Sequence, residues 1–452
     1  MDRPRFVIAA PKSGSGKTMV TCGLLKALTA RGVKVSSFKC GPDYIDPRFH
    51  EKVLGTRSGN LDLFFMGREL LRERFLKNGE GTELSVVEGV MGYYDGMSIS
   101  STEGSTYAIA KAIEAPVILV IDARGQSVSA LAVLCGFLDF VPDSGVKGVI
   151  FNEMSPHVFA ALKEKVEAMG VKALGYVPRR EDLVVESRHL GLVSPEELAD
   201  LDDRLGALAA LLEETVDIDG LLALAGSAPA LDAGPAPTFP QFPGTRIAIA
   251  QDEAFSFLYR DNVSLLEDMG AQVVYFSPIH DRSLPEDTQG MILPGGYPEL
   301  FAQELSEDRS MRQSVAHALS SGMPCLAECG GFLYLHRELQ DMEGQYWPMV
   351  GTIHARAYRT QKLGRFGYIE LSAREGSPLL RPGESLKAHE FHYYESESCG
   401  SAMEAKKPLT GRSWDCIHEE GGLVAGFPHI YYRSAPDLLA RWLRLCAGKE
   451  RR

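Results

Sequence analysis

The sequence predicts two α/β domains, each built around a mainly parallel β-sheet. Short apolar runs alternate with helical patterns between residues 5 and about 180, and the alternation restarts at Arg246. Near-continuous Val, Ile and Leu runs separated by helices are typical of a parallel sheet covered on both faces. The intervening residues 225–244 are dense in Ala, Pro and Gly, which indicates a linker. Because 452 residues exceed one ordinary domain, we predict domains at residues 1–224 and 245–452.

The individual elements follow from the apolar runs and the helical patterns between them. In the first domain we predict a terminal helix at residues 194–215 and six strands, at residues 6–10, 33–38, 84–90, 116–122, 146–152 and 173–177. In the second we predict strands at residues 246–250, 271–276 and 291–293, with a helix at 262–269. Ligands of such sheets bind at the carboxyl ends of the strands, so residues that follow each run are the first site candidates.

Composition and charge exclude several classes of protein. The formal net charge of -13 argues against nucleic acid as a partner, because phosphate backbones are bound by basic surfaces. Eight cysteines without a C-x-x-C pair fit a reducing compartment better than a disulfide framework. No apolar run is long enough to span a bilayer, and the first strand begins too early to leave room for a signal peptide. We therefore expect a cytoplasmic protein with no membrane partner.

The run PKSGSGKT, residues 11–18, predicts a phosphate-binding loop between a strand and a helix. Gly14 and Gly16 let backbone N–H groups turn towards phosphates, Lys17 reaches the outer phosphates, and the Thr18 hydroxyl is a ligand for Mg²⁺. The usual pattern has glycine six residues before the lysine, where this chain has proline. Lys12 matches the extra lysine of a variant loop in ATPases that resemble the nitrogenase iron protein and dethiobiotin synthetase. We therefore predict that this loop binds ATP.

Acidic and amide side chains follow several predicted strands. Glu88 comes at the end of one apolar run, where an NTPase holds Mg²⁺ or its water, and is our metal candidate together with Thr18. Asp43 and Asp95 are expected beside it as nucleotide-site residues. Asn152 ends a later strand and is a candidate for reading the adenine edge, although a turn-forming asparagine is an equal alternative.

The run PCLAECGG, residues 324–331, predicts a nucleophile elbow in the second domain. Cys329 stands at the end of a short apolar strand, followed by two glycines and a helical pattern. A helix N-terminus lowers the pKa of a thiol, so we predict an activated cysteine, with His429 as its base. The glycine pair of ILPGGYPE, residues 292–299, and the N–H of Gly330 are candidate oxyanion donors.

These motifs carry a family resemblance that covers essentially the whole chain. The first domain resembles the cobyrinic acid a,c-diamide synthase family in PKSGSGKT, FKCGPDYIDPRFH, NLDLF and VEGVMGYYDG. Its expected fold is a P-loop NTPase domain with a dethiobiotin synthetase-like parallel sheet. The second domain resembles class I glutamine amidotransferases, in the branch that contains cobyrinic and cobyric acid synthases.

The resemblance implies a reaction and its participants. ATP phosphorylates a side-chain carboxylate of a corrinoid polycarboxylate, and ammonia released from glutamine by Cys329 then displaces the phosphate. In the family, acids at the positions of Asp43, Glu88 and Asp95 handle nucleotide, metal or substrate. The nearby cations Lys39, Arg48 and His50 are plausible contacts for substrate carboxylates. The likeness to dethiobiotin synthetase makes a homodimer a fair expectation.

The second domain departs from the common amidotransferase pattern. Ala327 replaces the usual glycine two residues before the cysteine, and Tyr431 stands where most class I domains carry the Glu of a triad. We therefore predict a Cys-His dyad with its orienting group unassigned, and His392 or His354 could compete as the base. The run HEFHY, residues 389–393, predicts a strand, and we expect both of its histidines on one face.

Four other hypotheses about the function stay open at this point. A nickel-sirohydrochlorin a,c-diamide synthase would carry nearly the same motifs, while cobyric acid synthase fits GPDYID less well. A switch ATPase of the partitioning or maturation type predicts no use for Cys329. A scaffold that has lost glutaminase activity is suggested only by the missing triad Glu.

Overall fold

The protein is described by a computed structural model that covers residues 3–180, 195–374, 377 and 379–448. It divides into two compact units, Met1–Ala236 and Pro237–Arg452. The division falls inside the predicted linker 225–244, although a helix extends past the predicted start of this linker, to Gly226.

The first unit is a seven-stranded, all-parallel sheet with helices between its strands. The strand order is β3-β2-β4-β1-β5-β6-β7. The elements are β1 (Arg5–Ala9), α1 (Lys17–Ala30), β2 (Val35–Cys40), α2 (Ile45–Leu54), β3 (Arg57–Leu61), α3 (Leu63–Asn78), β4 (Leu84–Glu88), α4 (Thr106–Ala112), β5 (Val117–Asp122), α5 (Val128–Asp139), β6 (Val146–Asn152), α6 (Pro156–Ala168), β7 (Lys172–Val177), α7 (Pro195–Thr215) and α8 (Ile218–Gly226).

All six predicted strands of this unit are present, but one strand was not predicted. β2 lies two residues later than expected, and β4 ends at Glu88 rather than at residue 90. Strand β3 has the sequence RSGNL, which lacks an apolar run. It is buried because its polar side chains are bonded, as when the hydroxyl groups of Ser37 and Ser58 meet at 3.0 Å. The predicted helix 194–215 begins at Pro195 among the described residues, and Ser194 lies outside them.

The core of the first unit holds the phosphate-loop helix against the sheet. Alternate residues of β1, such as Phe6 and Ile8, contact the apolar side of α1, and leucines of α7 cover the same helix. A side chain on Gly23 of α1 would meet the Leu212 methyl group at 2.6 Å, so the two helices are in close contact. This packing fixes the start of α1, where the phosphate loop ends.

The second unit is built on a six-stranded sheet that is parallel except for its last strand. Its order is β10-β8-β11-β13-β23-β22, and smaller, largely antiparallel sheets surround it. The elements are β8 (Arg246–Ala250), β9 (Phe255–Phe257), α9 (Arg260–Asp268), β10 (Gln272–Phe276), β11 (Gly290–Leu293), β12 (Gly295–Gly296), a 3₁₀ helix (Pro298–Phe301), α10 (Ala302–Glu307), α11 (Arg309–Ser320), β13 (Cys325–Glu328), α12 (Gly330–Tyr334), β14 (His336–Gln340), β15 (Tyr346–Pro348), β16 (Ile353–Arg359), β17 (Arg365–Ala373), β18 (Ser385–His392), β19 (Tyr394–Ser396), β20 (Met403–Lys406), β21 (Ser413–Cys416), β22 (His418–Glu420), β23 (Leu423–Gly426), β24 (His429–Ile430), a second 3₁₀ helix (Tyr432–Ser434) and α13 (Pro436–Cys446).

Both faces of the inner strands of the six-stranded sheet are buried, as the apolar runs predict. Ile247, Ile292 and Leu326 belong to the core cluster on one face, which α13 covers with Trp442. Intervening strand residues belong to the opposite cluster, which includes Cys329. The two-domain α/β prediction is therefore confirmed. Within the described ranges, no helix combines the length and hydrophobicity needed to cross a membrane.

Candidate active sites

The predicted phosphate loop lies between the end of β1 and the start of α1. Gly14 and Gly16 have φ values of 75° and 92°, which favour glycine over other residues. A side chain on Gly16 would lie 2.3 Å from the amide nitrogen of Asn152. That amide donates to the Ser15 carbonyl at 3.1 Å, and the Ser15 hydroxyl donates to the Lys12 carbonyl at 3.0 Å. Asn152 therefore supports the loop, and its contact with adenine stays a prediction.

Lys17 is buried at the base of this loop. Its ammonium donates to the Met91 carbonyl at 2.6 Å and to the Lys12 carbonyl at 3.3 Å. Burial, followed by the nearby Lys39 charge, lowers the pKa of Lys17 to about 8, and Glu88 and Asp95 partly offset this change. A phosphate oxygen beside this ammonium would stabilise its charged form.

A buried charge network stands beside Thr18 at the end of β4. Glu88 Oε1 accepts hydrogen bonds of 2.6 Å from the Thr18 hydroxyl and from the Lys39 ammonium, which also pairs with Asp46 at 2.5 Å. Glu88 is fully buried, and its Oε2 has no hydrogen-bond partner within the described part of the chain. Burial raises the pKa of Glu88, and the Lys39 charge opposes this effect.

The donor set formed by Thr18 and Glu88 fits Mg²⁺. A hydroxyl from the phosphate loop and a carboxylate after a buried strand are the groups with which such enzymes hold Mg²⁺ at a nucleotide. The described residues contain no group of three or more His, Cys, Asp or Glu side chains arranged around a metal position, and Asp43 and Asp95 stay predicted nucleotide-site residues beside this pair.

The other two acids shape the backbone near the loop. Asp43 Oδ1 accepts hydrogen bonds from the N–H groups of Ile45 and Asp46 at the start of α2. Burial, followed by the Asp46 charge, raises the pKa of Asp43 to about 6. Asp95 Oδ2 accepts from the Gly92 N–H at 2.9 Å. Their roles towards nucleotide or substrate stay predictions.

The cations predicted to contact substrate carboxylates fare differently. The Lys39 ammonium forms buried ion pairs with Glu88 and Asp46. The imidazole of His50 is fully buried, with Nε2 3.8 Å from the Cys22 sulfur, and burial lowers its pKa to about 4. The prediction is therefore wrong for His50, which is neutral and inaccessible. Arg48 is half-buried, and its role stays a prediction.

A cavity of about 510 Å³ opens at the phosphate loop, a volume within the range of small-molecule sites. The loop glycines, Lys17 and Thr18 line one end. Other walls combine the apolar side chains of Leu208 and Leu211 with polar ones, namely Asp43, Arg124, Asn152 and Arg180. The cavity therefore joins a phosphate cradle to a partly apolar surface of the kind a nucleotide base requires.

Cys329 occupies the sharp turn between β13 and α12. Its φ of 45° and ψ of -101° are rare for a residue with a side chain. The following glycines are required sterically, because a Cβ on Gly331 would lie 2.0 Å from the Leu293 carbonyl oxygen. The Cys329 N–H donates to the Gly426 carbonyl at 2.8 Å. This turn has the strained geometry of a nucleophile elbow.

The predicted lowering of the thiol pKa is wrong. Burial raises the pKa of Cys329 well above its ordinary value, and the charges of Glu299 and Glu390 add to this effect, whereas the Gly330 N–H opposes it only weakly. The short helix α12 cannot compensate for a side chain that is only 7% exposed. The thiolate must therefore be formed by transfer of the proton to a neighbouring base.

His429 approaches the elbow through the predicted glycine pair. A Cβ on Gly295 would lie 2.3 Å from His429 Cε1, and one on Gly330 would lie 2.8 Å from the Gly296 nitrogen. Gly295 therefore lies against the His429 imidazole, and Gly296 lies against Gly330 of the elbow. His429 is 2% exposed, and its Nδ1 lies 3.8 Å from Glu328 Oε2.

The competing histidines are placed differently. His392 stacks on Phe427, with ring centroids 3.9 Å apart, and its Nδ1 contacts the Tyr394 carbonyl at 2.6 Å. His354 is exposed on β16. His389 lies directly opposite His429 in the antiparallel pair of β18 and β24, and burial lowers its pKa to about 3. His429 is the histidine whose ring lies against the glycine pair, at Gly295.

The expectation that His389 and His392 share a face is wrong. Side chains alternate along a strand, so residues three positions apart point to opposite faces. His389 packs against the rings of Phe366 and Tyr368, while His392 lies near Glu390, with Nε2 to Oε2 at 3.7 Å.

Three carboxylates near Cys329 were missed from the sequence. Glu328 precedes the nucleophile and is 4% exposed, and Glu390 is fully buried without hydrogen-bond partners among the described residues. Burial raises the pKa of Glu299 to about 7. All three stand within quoted motifs, but nothing in the pattern distinguished these acids from ordinary ones.

Together, the two units define a class of enzyme. One holds a phosphate loop with a cavity beside it, and the other holds a cysteine elbow and histidine at the end of a parallel sheet. This combination is that of a glutamine-hydrolysing carbon–nitrogen ligase that uses ATP.

Comparisons with known proteins place the chain more closely. The CobQ/CobB/MinD/ParA nucleotide binding domain family matches residues 6–192, and the CobB/CobQ-like glutamine amidotransferase domain family matches residues 246–435. Cobyrinate a,c-diamide synthase of Caldanaerobacter subterraneus subsp. tengcongensis is 37% identical over 447 residues, which cover 98% of each chain. The protein of that name in Listeria innocua is 39% identical, covering 96% of this chain and 98% of the relative, and that of Salmonella typhimurium is 38% identical, covering 97% of each.

The chain therefore belongs to the cobyrinate a,c-diamide synthase family, as its motifs predict. Among solved structures, PurLQS from Thermotoga maritima matches 45% of this chain and 98% of its own at 16% identity, with a TM-score of 0.32, which is too low to support an inference.

Proposed function

We propose that this protein amidates the a and c acetate side-chain carboxylates of cobyrinate in cobalamin biosynthesis, with ATP and glutamine as cosubstrates. The observation that carries the proposal is the presence, in one chain, of the Thr18–Glu88 pair at a phosphate loop and of the Cys329 elbow, which contacts the same glycine pair as His429. The similarity to proteins named for this reaction over nearly the whole chain supports the choice of substrate.

In the first unit, the phosphate loop would hold the triphosphate while a substrate carboxylate attacks the γ-phosphorus. The bond to the β-phosphate oxygen breaks, which gives ADP and an acyl phosphate. Lys17 would stabilise the phosphate charge, and Thr18 and Glu88 would hold Mg²⁺, which supplies further charge neutralisation when bound. Activation is needed because a carboxylate has no adequate leaving group until its oxygen carries a phosphoryl group.

In the second unit, His429 would accept the Cys329 proton as the sulfur attacks the glutamine carboxamide carbon. The C–N bond then breaks, and ammonia leaves with the proton that His429 returns. Water hydrolyses the resulting thioester to glutamate and restores the thiol. The ammonia attacks the acyl phosphate, phosphate leaves, and an amide remains.

The test is mass spectrometry of products formed from cobyrinic acid with ATP, Mg²⁺ and glutamine. Two amidations are expected with the intact chain, and none with Cys329→Ser unless ammonium is added. Glutamine hydrolysis without amidation of the corrin, together with amidation of nickel-sirohydrochlorin, would replace the substrate and keep the chemistry. Absence of glutamine hydrolysis would contradict the ligase mechanism and favour a switch ATPase.

A further inference from the structure

The residue two positions after His429 cannot orient its imidazole. The Tyr431 hydroxyl donates to Asp261 Oδ2 at 2.8 Å, so this side chain is held against α9. Tyr431 therefore does not replace the glutamate that most class I amidotransferases carry at this position. An orienting group for His429 must come from another element.

Glu328 supplies a carboxylate close to His429 Nδ1. It is the last residue of β13, it is 4% exposed, and its Oε2 lies 3.8 Å from His429 Nδ1. The buried Tyr432 hydroxyl is its neighbour, and after burial itself the Glu328 charge is the largest influence raising the pKa of Tyr432.

We propose that Glu328 is the positioning residue of the glutaminase site, which orients His429 Nδ1 so that Nε2 faces the Cys329 thiol. This inference rests on the proposed function and completes the dyad as a Cys-His-Glu arrangement, with the acid next to the nucleophile in the chain. The 3.8 Å separation allows an ion pair, and catalytic hydrogen bonds commonly shorten when substrate binds.

The buried thiol explains why such an acid is needed. Proton transfer from Cys329 to His429 creates a thiolate and an imidazolium in a site that water barely reaches. The carboxylate of Glu328 stabilises the imidazolium and selects the tautomer in which Nδ1 carries the proton. When the proton passes from Nε2 to the departing ammonia, the histidine returns to its neutral form.

Three other titratable groups among the described residues are placed differently. His389 faces it from β18, and burial keeps that imidazole neutral. Glu390 follows His389 on β18 and so points to the opposite face of the sheet, towards His392 at 3.7 Å. Glu299 stands in the 3₁₀ helix after the glycine pair and influences Cys329 through its charge.

The test compares Glu328→Gln and Glu328→Asp with the intact chain, using glutamine hydrolysis and ammonium-dependent amidation as separate readouts. Glu328→Gln should lower kcat for glutamine about 100-fold, with KM changed by no more than about threefold and ammonium-dependent amidation retained. The acid limb of kcat/KM should move to lower pH, because the imidazolium loses its neighbouring charge. Glu328→Asp should recover part of the rate and keep the limb in place.

A matched control is Glu338→Gln on β14. The Glu338 carboxylate pairs with Arg356 of β16 at 2.7 Å, and its loss should leave both activities unchanged. A wild-type rate and pH profile in Glu328→Gln would overturn the inference. Equal losses of glutamine-dependent and ammonium-dependent activity in both variants would also overturn it, because they indicate a structural role. Absence of glutamine hydrolysis in the intact chain would instead contradict the proposed function.

Discussion

The Thr18 hydroxyl donates a 2.6 Å hydrogen bond to Glu88 Oε1, which joins the first residues of α1 to the end of β4. The two groups are 70 residues apart in sequence, and the parallel sheet brings them together at its carboxyl edge. Since this pair is our candidate holder of Mg²⁺, its loss should affect one half-reaction only.

Thr18→Val should reduce ATP-dependent amidation by about 100-fold or more, since a preorganised polar group at the phosphates is lost. Glutamine hydrolysis at Cys329 should continue. The control is Thr29→Val on the same helix, where the hydroxyl donates to the Leu25 and Lys26 carbonyls. Steady-state rates of ADP and glutamate formation measure the two effects, and unchanged ADP formation in Thr18→Val would remove this pair from the site.

The buried charge network should dominate the stability of the first unit. Lys39→Met would leave the Glu88 and Asp46 carboxylates without their cation, at a cost of about 3–5 kcal/mol in the free energy of unfolding. Lys26→Met removes the exposed pair with Asp202 and should cost less than about 1 kcal/mol. Urea denaturation measures both changes, and similar values for the two variants would contradict the network's importance.

Acid should destabilise the protein partly through His50. Its folded pKa is about 4, below the unfolded value of about 6.5, so the unfolded chain binds the extra proton as pH falls from about 6.5 to 4. Unfolding free energy should therefore decrease over this window by up to about 1.4 kcal/mol per pH unit from this residue. His50→Gln should lose about 1.5 kcal/mol less than the intact chain between pH 6.5 and pH 5, as measured by urea denaturation. Identical pH slopes would contradict the assignment.

The elbow should store strain at Cys329. Its φ of 45° and ψ of -101° cost a residue with a side chain about 1–3 kcal/mol, whereas glycine adopts this conformation freely. Cys329→Gly should therefore be at least as stable as Cys329→Ala, although glycine normally destabilises the folded state. Both variants lack the thiol, so thermal unfolding isolates the backbone effect. A markedly lower melting temperature for the glycine variant would argue against strain.

The parts of the structure that sequence predicted are those set by neighbouring residues. The phosphate loop and the elbow each depend on glycines and apolar runs within about ten positions, so both could be identified before the fold was known. The acids that follow the strands could be listed, but their partners could not: Asp43 accepts a hydrogen bond from the start of α2, and Asp95 accepts one from the Gly92 N–H. The prediction of a lowered Cys329 pKa failed because burial in the fold raises the pKa by more than the helix N-terminus lowers it.

Contacts between distant elements could not be read from the pattern. Strand β3 has no apolar run, and the antiparallel sheets of the second unit depend on pairings such as His389 with His429. Glu328 lies beside the nucleophile in the chain, yet only the fold shows which histidine it approaches. Side-chain partners across elements are set by register, which single-sequence periodicity does not specify.

The central claim is that one chain couples glutamine hydrolysis at Cys329 to ATP-dependent amidation. The most direct measurement is mass spectrometry of the corrinoid formed from cobyrinic acid, ATP, Mg²⁺ and glutamine labelled with ¹⁵N in its side-chain amide. We predict that both new amides carry the label, and that Cys329→Ser forms only unlabelled amides when ammonium is supplied. An unlabelled product from the intact chain, or labelled product from Cys329→Ser, would contradict the claim.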